Sequence, residues 1–217
     1  MEILYSLFPN FSDFIDDVPV SINFTKPWAL FDPKNNDNLI NQLIKINLTN
    51  KSSRINSPNN IFIHPNAIVD KNARIEAPCY IGDGAIIKHS AYLRPGSCIC
   101  KGAVVGHSSE IKNAILLPFS KAPHFNYVGD SIIGSYSNLG AGVKIANIRH
   151  DKKSIDIKGE GFMIPTNLEK FGSLIGDNCS LGCNSVCNPG SILIPNSSTP
   201  PNSIISGAYD NFAIGGK

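Results

Sequence analysis

Two cationic side chains stand at a spacing that could bring both onto one anion. Arg94 and Lys112 are separated by eighteen positions, and each directly follows an aliphatic residue. The guanidinium fork of an arginine can hold two oxygens of a phosphate or carboxylate, and a lysine adds a point charge. Glu76 precedes Arg94 by the same interval, so a solvated ladder of ion pairs, which contributes little to stability, is the alternative. The spacing alone leaves both interpretations open.

Histidines repeat at the same spacing. His89 and His107 are also separated by eighteen positions, and stacked imidazoles can bind zinc. A zinc centre needs a third converging ligand, and no third histidine stands at a suitable place, so we expect surface histidines and no metal site. His124 differs because it lies in the segment KAPHFNYVGD, beside aromatic residues. An imidazole held there against a rigid wall could accept a proton near neutral pH.

A repeat of six residues must position these side chains. From Ile63 to Ile111 an aliphatic residue returns at every sixth position, and in all but the last case a small residue follows four positions later. A period of six fits neither an α-helix nor a simple strand. It fits a coil with three flat sides, in which stacked coils form parallel strands about 4.8 Å apart and residues one coil, or eighteen positions, apart lie above one another. The aliphatic ladder is Ile63, Val69, Ile75, Ile81, Ile87, Leu93, Ile99, Val105 and Ile111, and the small residues are Ala67, Ala73, Cys79, Ala85, Ala91, Ser97, Ala103 and Ser109.

The predicted fold is therefore all-β, a left-handed parallel β-helix with two loop interruptions. A β-sandwich with chance spacing is the alternative, and nine consecutive ladder residues argue against it. Because loops on a rigid scaffold tend to carry function, the interruptions matter for the site. The first covers residues 117–126, after which Tyr127, Ile133, Leu139 and Ile145 restore the register; the second covers residues 151–173, with an excursion through Ile155 and Ile157, before Ile175, Leu181, Cys187 and Leu193 resume it.

Residues 1–60 form a predicted N-terminal appendage to a β-helix domain over residues 61–217. This segment is rich in asparagine, and residues 38–48 predict one helix with Leu39, Leu43 and Ile46 on one face. A solenoid needs its open end covered. We therefore expect the appendage to cap that end.

Composition argues against several classes of function. The net charge is +2, only 17% of the 217 residues are charged, and the basic residues are scattered, which does not favour nucleic-acid binding. The N-terminus lacks the basic region of a secretory signal, and no apolar run approaches the roughly 20 residues that span a membrane. The six cysteines show no zinc-type pairing, and Cys98 and Cys100 are too close to form a structural bridge. We expect reduced thiols in a cytoplasmic protein.

The string HFNYVGDSIIGSYSNLGAGVKIANIRHDKK resembles the acetyltransferase half of the bifunctional enzyme that completes UDP-N-acetylglucosamine synthesis. It is still more similar to archaeal bifunctional sugar-1-phosphate nucleotidylyltransferase/acetyltransferases, and the resemblance covers about residues 61–195. It implies an N-acetyltransferase that uses acetyl-coenzyme A as cosubstrate and acts on an amino-sugar phosphate, with glucosamine-1-phosphate as the first candidate. It also implies a homotrimer with the acetyl donor bound between adjacent β-helices.

The resemblance further implies a role for each matching position. His124 falls at the catalytic base, and Arg94 and Lys112 fall at contacts to the sugar phosphate, which favours the anion clamp over the ion-pair ladder. The backbone N–H of Ala141 falls where it would steady the thioester oxygen. The remaining matches are sugar contacts at Tyr127, Asn138, Asn147 and Lys153, and a coenzyme contact at Cys183.

The sequence also departs from the bacterial members of this family. No nucleotidyl-transfer half accompanies it, so a separate nucleotidyltransferase is a candidate partner. The segment NIRHDKK replaces an NYDG form, and the insertion at residues 151–173 is longer. Two alternatives therefore stay open, namely an acetyltransferase for another amino sugar or a sugar hydroxyl, and a non-catalytic β-helix assembly subunit.

Overall fold

A parallel β-helix of about eight turns forms the body of the molecule. The computed structural model describes residues 6–49 and 60–209. Consecutive strands pass to three different sheets in turn, so each coil contributes one strand to every sheet. The predicted parallel β-helix is confirmed, and its left-handed sense stays a prediction.

The three parallel sheets are named A, B and C in the order in which the chain enters them. Sheet A contains β1 Ile61–Ile63, β4 Cys79–Ile81, β7 Ser97–Ile99, β10 Ala114–Leu116, β13 Ile132–Ile133, β18 Ser173–Ile175, β21 Ser191–Leu193 and β24 Ala208–Tyr209. Sheet B contains β2 Ile68–Val69, β5 Ile86–Ile87, β8 Val104–His107, β11 Lys121–His124, β14 Asn138–Leu139, β19 Ser180–Leu181 and β22 Ser198–Thr199. Sheet C contains β3 Arg74–Ile75, β6 Tyr92–Leu93, β9 Glu110–Lys112, β12 Tyr127–Gly129, β15 Lys144–Ile145, β20 Val186–Cys187 and β23 Ile204–Ile205.

The predicted aliphatic ladder fills the interior of the coil. Its members from Ile81 to Ile111 are buried and belong to one core cluster, while the first three are partly buried at the end of the helix. Leu93 and Ile111 stack in register one coil apart. The small residues lie at the corners, and all but Ala73 are buried. The hydroxyl of Ser97 lies within hydrogen-bonding distance of the carbonyl oxygens of Arg94 (2.6 Å) and Ile111 (2.9 Å). Burial of the ladder supplies the hydrophobic stabilisation, at roughly 25 cal/mol per Å² of apolar surface.

The first predicted interruption is a change of register and not a loop. Residues 121–124 form β11, which pairs with both β8 and β14 in sheet B. The irregularity comes from spacing, because Leu116 follows Ile111 by five residues and Ile133 follows Val128 by five. The inward residue is accordingly Val128, which is fully buried. The prediction that Tyr127 belongs to the inner ladder was wrong, and its side chain faces outward.

Both five-residue spacings of the inner ladder lie at one corner of the coil. The C–A corner consists of the turns from sheet C to sheet A, at residues 94–96, 112–113, 129–131 and 146–172. The second interruption also lies here, as the antiparallel hairpin of β16 (Ile155–Gly159) and β17 (Phe162–Leu168), which confirms the predicted excursion. The ladder residues keep their spacing of six at the other two corners. The coil therefore concentrates its irregularity along a single edge.

The predicted N-terminal helix is present as α1, Leu39–Thr49. Two 3₁₀ helices, Pro9–Asp17 and Pro27–Phe31, precede it. Leu39 and Leu43 are fully buried, as the apolar face of the helix predicts. Asn38 caps the helix, since its Oδ1 accepts a hydrogen bond from the N–H of Asn41 at 2.9 Å.

Residues 6–49 of the N-terminal segment cover a side of the coil, and the expected cap over its open end stays a prediction. Its buried residues pack against outward-facing positions of sheet A in one hydrophobic cluster. Sheet A invites this contact because its outer face is apolar, whereas a solvated face would alternate with polar residues. The outward residues in the cluster include Cys98, Cys100, Ile115, Leu117, Ile132, Leu174 and Ile192.

Aromatic contacts fasten the N-terminal segment to the hairpin insertion. Phe171 is fully buried and packs against Trp28, with ring centroids 6.5 Å apart, and against Phe31, at 6.1 Å. The backbone is anchored as well, because the carbonyl of Leu7 accepts a hydrogen bond from the N–H of Asp177 at 2.9 Å. Within residues 6–49 and 60–209, no helix has the length and hydropathy needed to cross a membrane.

Candidate functional site

Most of the candidate residues lie around the outer face of sheet C. The side chains of Tyr92, Glu110, Tyr127 and Lys144 stand in register along this face. The C–A corner bounds the face on one side. The B–C corner bounds it on the other side. It comprises the ends of sheet B strands and the turns that lead to sheet C, at residues 88–90, 106–108, 124–126, 140–142 and 182–184.

Arg94 and Lys112 stack at the C–A corner, as their spacing predicts. The N–H of Arg94 donates to the carbonyl of Ile111 at 2.8 Å, and both cations line the same cavity. Arg94 Nη1 lies 2.8 Å from Glu110 Oε1. This hydrogen bond raises the pKa of Arg94, so the guanidinium stays charged.

The expected partner of Arg94 was wrong. Glu76 bonds instead to Arg74 at 2.7 Å and accepts the hydroxyl of Tyr92 at 2.9 Å. The arginine of the same coil therefore takes the carboxylate of Glu76. Arg94 turns to the carboxylate of Glu110 on the next coil.

A buried carboxylate organises the floor of this corner, and the sequence analysis missed it. The side chain of Asp130 is 4% exposed, and its Oδ2 lies 3.2 Å from Lys112 Nζ. Its Oδ1 accepts a hydrogen bond from Asn113 at 2.7 Å, and Asn147 donates to its Oδ2. Asp130 follows Lys112 by one predicted coil period of eighteen positions, so the period carries the signal that would have found it.

Tyr127 and Asn147 join this network to the outer face of sheet C. The hydroxyl of Tyr127 donates to Asn147 Oδ1 at 3.4 Å, and Asn147 is 8% exposed. Burial, together with the carboxylates of Asp130 and Glu110, raises the pKa of Tyr127. The phenol therefore remains a neutral hydrogen-bond donor.

At the B–C corner, the turn that carries His124 is tied to the turn of the next coil. The carbonyl of His124 accepts the N–H of Gly142 at 3.0 Å. Asn126 is 2% exposed, accepts the N–H of His124 at 3.0 Å and donates to the carbonyl of Gly140 at 2.7 Å. The backbone of His124 is thereby fixed while its side chain is exposed. Asn126 is a second residue that sequence reasoning missed, although it stands inside the diagnostic string.

Ala141 lies between Gly140 and Gly142 in the turn of the next coil. The described chain gives its N–H no hydrogen-bond acceptor, whereas Gly140 and Gly142 both donate to carbonyls of neighbouring coils. Gly142 has φ +72, and a Cβ there would come 2.5 Å from Asn184 Oδ1. Glycine permits this left-handed turn. The N–H of Ala141 therefore remains a backbone donor in a turn that is bonded to the carbonyl of His124.

The histidines form a column along the B–C corner. The rings of His89 and His107 are stacked with centroids 4.3 Å apart, as the spacing predicts, and His124 pairs in register with His107. The eighteen-residue spacing did not predict this third position, because the coil between His107 and His124 is one residue shorter. No group of three metal-binding side chains with ligand geometry occurs in the described part of the chain.

Three candidates lie apart from the cluster. Asn138 faces outward from sheet B, in register with Lys121 and Ser180. Lys153 is exposed, and its N–H donates to Asp151 Oδ1 at 3.3 Å; none of its contacts within the described residues reaches the other candidates. Cys183 is exposed on the B–C corner two coil layers above His124.

The thiols fall into two groups. All six are free, and every one except Cys183 is buried. Burial raises the pKa of the Cys187 thiol to about 12 and that of Cys179 to about 11. These two thiols are therefore neutral side chains of the core and cannot supply a thiolate nucleophile at neutral pH.

Comparisons with known proteins found one family model and several relatives. The family model described as the GMPPB C-terminal domain matches residues 76–204. A bifunctional sugar-1-phosphate nucleotidylyltransferase/acetyltransferase from Sulfurisphaera tokodaii is 33% identical over 76% of this chain and 41% of its own length. The bifunctional protein GlmU of Methanococcus vannielii is 36% identical over 76% of this chain and 39% of its own length. An uncharacterized acetyltransferase, YaiX, from Escherichia coli is 29% identical over 76% of this chain and 77% of its own. The chain thus spans about two fifths of the length of the first two relatives.

We expect Asp130→Ala to weaken the whole C–A corner. The substitution leaves Lys112 without its counter-charge and two amide side chains without their acceptor, which should lower the free energy of unfolding by about 2–3 kcal/mol. Asp83→Ala is the matched control, since the side chain of Asp83 is 42% exposed in its pair with His64 and should cost under about 1 kcal/mol. Urea denaturation measures both. Equal losses in the two variants would contradict the organising role of Asp130.

Proposed function

Because this chain belongs to the GMPPB C-terminal domain family and has the hexapeptide-repeat β-helix of its acetyltransferase relatives, we propose that it transfers an acetyl group from acetyl-coenzyme A to the amine of an amino-sugar phosphate. Glucosamine-1-phosphate is the first candidate acceptor. The observation that carries the proposal is that one corner, tied together by hydrogen bonds, carries both the exposed His124 and the N–H of Ala141, which has no acceptor among the described residues.

The chemistry is the formation of an amide from a thioester. A protonated amine cannot attack, so the acceptor must be held neutral and aimed at the thioester carbonyl. The amine nitrogen forms the new bond to the acetyl carbon while His124 takes the proton that this nitrogen loses. The N–H of Ala141 stabilises the oxyanion of the tetrahedral intermediate. The carbon–sulfur bond then breaks, and the imidazolium returns a proton to the departing thiolate.

The phosphate of the acceptor is assigned to Arg94 and Lys112. Each already has a carboxylate partner, Glu110 and Asp130 respectively. A guanidinium carries five N–H donors and an ammonium three, so each cation keeps donors free for an anion. The carboxylates therefore orient the two cations and do not saturate them.

The separation of Asn138 from Tyr127 supports an assembly. Tyr127 faces outward from sheet C, whereas Asn138 faces outward from sheet B. Side chains on two sides of one coil cannot contact the same small sugar. We therefore propose a homotrimer in which the sheet B face of one chain approaches the sheet C face of the next, so that neighbouring chains share each site.

We expect His124→Ala to lose about 10²-fold or more in kcat while the KM of the acceptor changes little, because the base acts in the transition state. The measurement is release of coenzyme A with glucosamine-1-phosphate as acceptor. His107→Ala is the matched control, since this histidine lies in register one coil away. If the wild-type protein binds amino-sugar phosphates but acetylates none of them, the result would instead support the alternative that the chain is a non-catalytic assembly subunit.

Replacing Arg94 tests the clamp. Arg94→Ala should raise the KM of the sugar phosphate by about 10- to 150-fold, because a hydrogen bond to a charged group contributes roughly 1.5–3 kcal/mol. The KM of acetyl-coenzyme A and the weak reaction with unphosphorylated glucosamine should barely change. Arg74→Ala, which removes an exposed arginine from the same face, should leave all three unchanged. Equal effects on both acceptors would reject a phosphate contact.

Shared sites predict complementation between inactive chains. His124→Ala and Asn138→Ala chains, each with little activity alone, should regain a measurable part of the wild-type kcat when they are co-expressed. The reason is that a mixed assembly contains some sites with both side chains intact. Light scattering should report three chains per particle. A mixed particle no more active than its parents, or a fully active monomer, would contradict the shared site.

A further inference from the structure

A second compartment adjoins the proposed phosphate clamp. A cavity of about 730 Å³ lies between the N-terminal segment and the C–A corner, and Arg94 and Lys112 form part of its wall. This volume falls within the usual range for small-molecule pockets of about 300–1,000 Å³. The same two cations thus face both the outer side of sheet C and this cavity.

The chain builds this compartment from three separate segments. Its floor is the shortened C–A corner, with Asn113 and Asp130. One wall is the end of the second 3₁₀ helix at residues 31–34, and the other is the end of the hairpin at residues 167–170. The Phe31 ring packs on the buried Phe171 beside the hairpin, which fixes the two walls to each other. Neither wall belongs to the hexapeptide coil.

The lining combines three kinds of surface. Its apolar part comes from Phe31, Pro33, Ile40, Pro95 and Leu168. Two exposed lysines at the rim, Lys34 and Lys170, form no ion pair within the described residues. The carboxylates of Asp32 and Glu169 complete the rim. Apolar surface suits a nucleobase, carboxylates accept ribose hydroxyls, and lysines bind phosphate as point charges.

We propose that a nucleoside-diphosphate-linked amino sugar binds this site as an extended form of the acceptor, more tightly than a free sugar 1-phosphate does. The phosphate next to the sugar binds Arg94 and Lys112, the second phosphate lies toward Lys34 and Lys170, and the nucleoside fills the cavity. This inference rests on the proposed function, since it extends the same clamp. Coenzyme A also carries a nucleoside diphosphate, so the two sources of this chemistry must be distinguished by experiment.

Titration calorimetry with the full-length protein tests the compartment without turnover. The probes are uridine diphosphate glucose, guanosine diphosphate mannose, glucose 1-phosphate and coenzyme A; the sugars carry no amine to acetylate. At least one nucleotide sugar should bind about 10-fold or more tightly than glucose 1-phosphate, because the compartment adds contacts that the monophosphate lacks. Equal or weaker binding of both nucleotide sugars overturns the proposal.

Variants locate the binding. The double variant Lys34→Ala/Lys170→Ala should bind the nucleotide sugar roughly 5- to 30-fold more weakly, as expected for the loss of two exposed charge contacts. Binding of glucose 1-phosphate and coenzyme A should not change. Lys158→Ala, an exposed lysine on the same hairpin away from the cavity, is the matched control. Weaker coenzyme A binding with unchanged nucleotide-sugar binding would assign the cavity to the coenzyme and overturn the proposal.

The outcomes separate this inference from the proposed function. If glucose 1-phosphate binds in an Arg94-dependent way and the nucleotide adds nothing, only the extended acceptor fails. If no phosphorylated sugar binds, the clamp and the compartment both fail. If the nucleotide sugar binds as expected but the corresponding amino sugar is not acetylated, the compartment stands and the transfer reaction fails.

Discussion

Hydrogen bonding between parallel strands along the coil axis determines which side chains of this protein can meet. Every inner strand of sheets A, B and C bonds to the strand one coil before it and one coil after it. Stacked strands are about 4.8 Å apart, so each side chain contacts its counterpart in the neighbouring coil. The aliphatic ladder, the histidine column and the paired cations all follow from this single constraint. A departure from the repeat can survive only where it does not break the stack, and here it is confined to the C–A corner.

The sequence predicts those contacts that recur from coil to coil with the six-residue period. The inner ladder and the vertical neighbours Arg94 and Lys112 could be predicted directly, because both depend only on the period. Tyr127 was placed on the wrong side since five-residue spacings interrupt a six-residue count without any marker residue. Asp130 stands at the predicted period from Lys112, but its bonds to Asn113 and Asn147 span seventeen positions, which the repeat does not predict. The docking of the N-terminal segment on sheet A could not be predicted, because the repeat reports inward residues, whereas this docking depends on the outward residues of sheet A.

The candidate site shows the same division. A family string could point to His124 and Ala141, yet it could not show why their turns are rigid. That rigidity comes from Asn126, whose side chain joins the His124 turn to the carbonyl of Gly140 on the next coil. A sequence motif does not show such contacts between neighbouring coils. The chemistry proposed for the B–C corner thus depends on a buried amide, and the anion binding proposed for the C–A corner depends on a buried carboxylate.

Covering sheet A also determines how copies of this molecule can meet. A three-sided prism with three open faces can tile a plane without limit, and the outer faces of sheets B and C are indeed exposed, with Ile68 at 61% and Ile204 at 76%. The N-terminal segment removes one of the three faces from contact. Two unlike faces remain, and a joint between unlike faces propagates in one direction until rotation closes it into a ring. In the proposed homotrimer, the appendage would therefore lie outside the joints between chains and leave each chain two faces through which it can meet a neighbour.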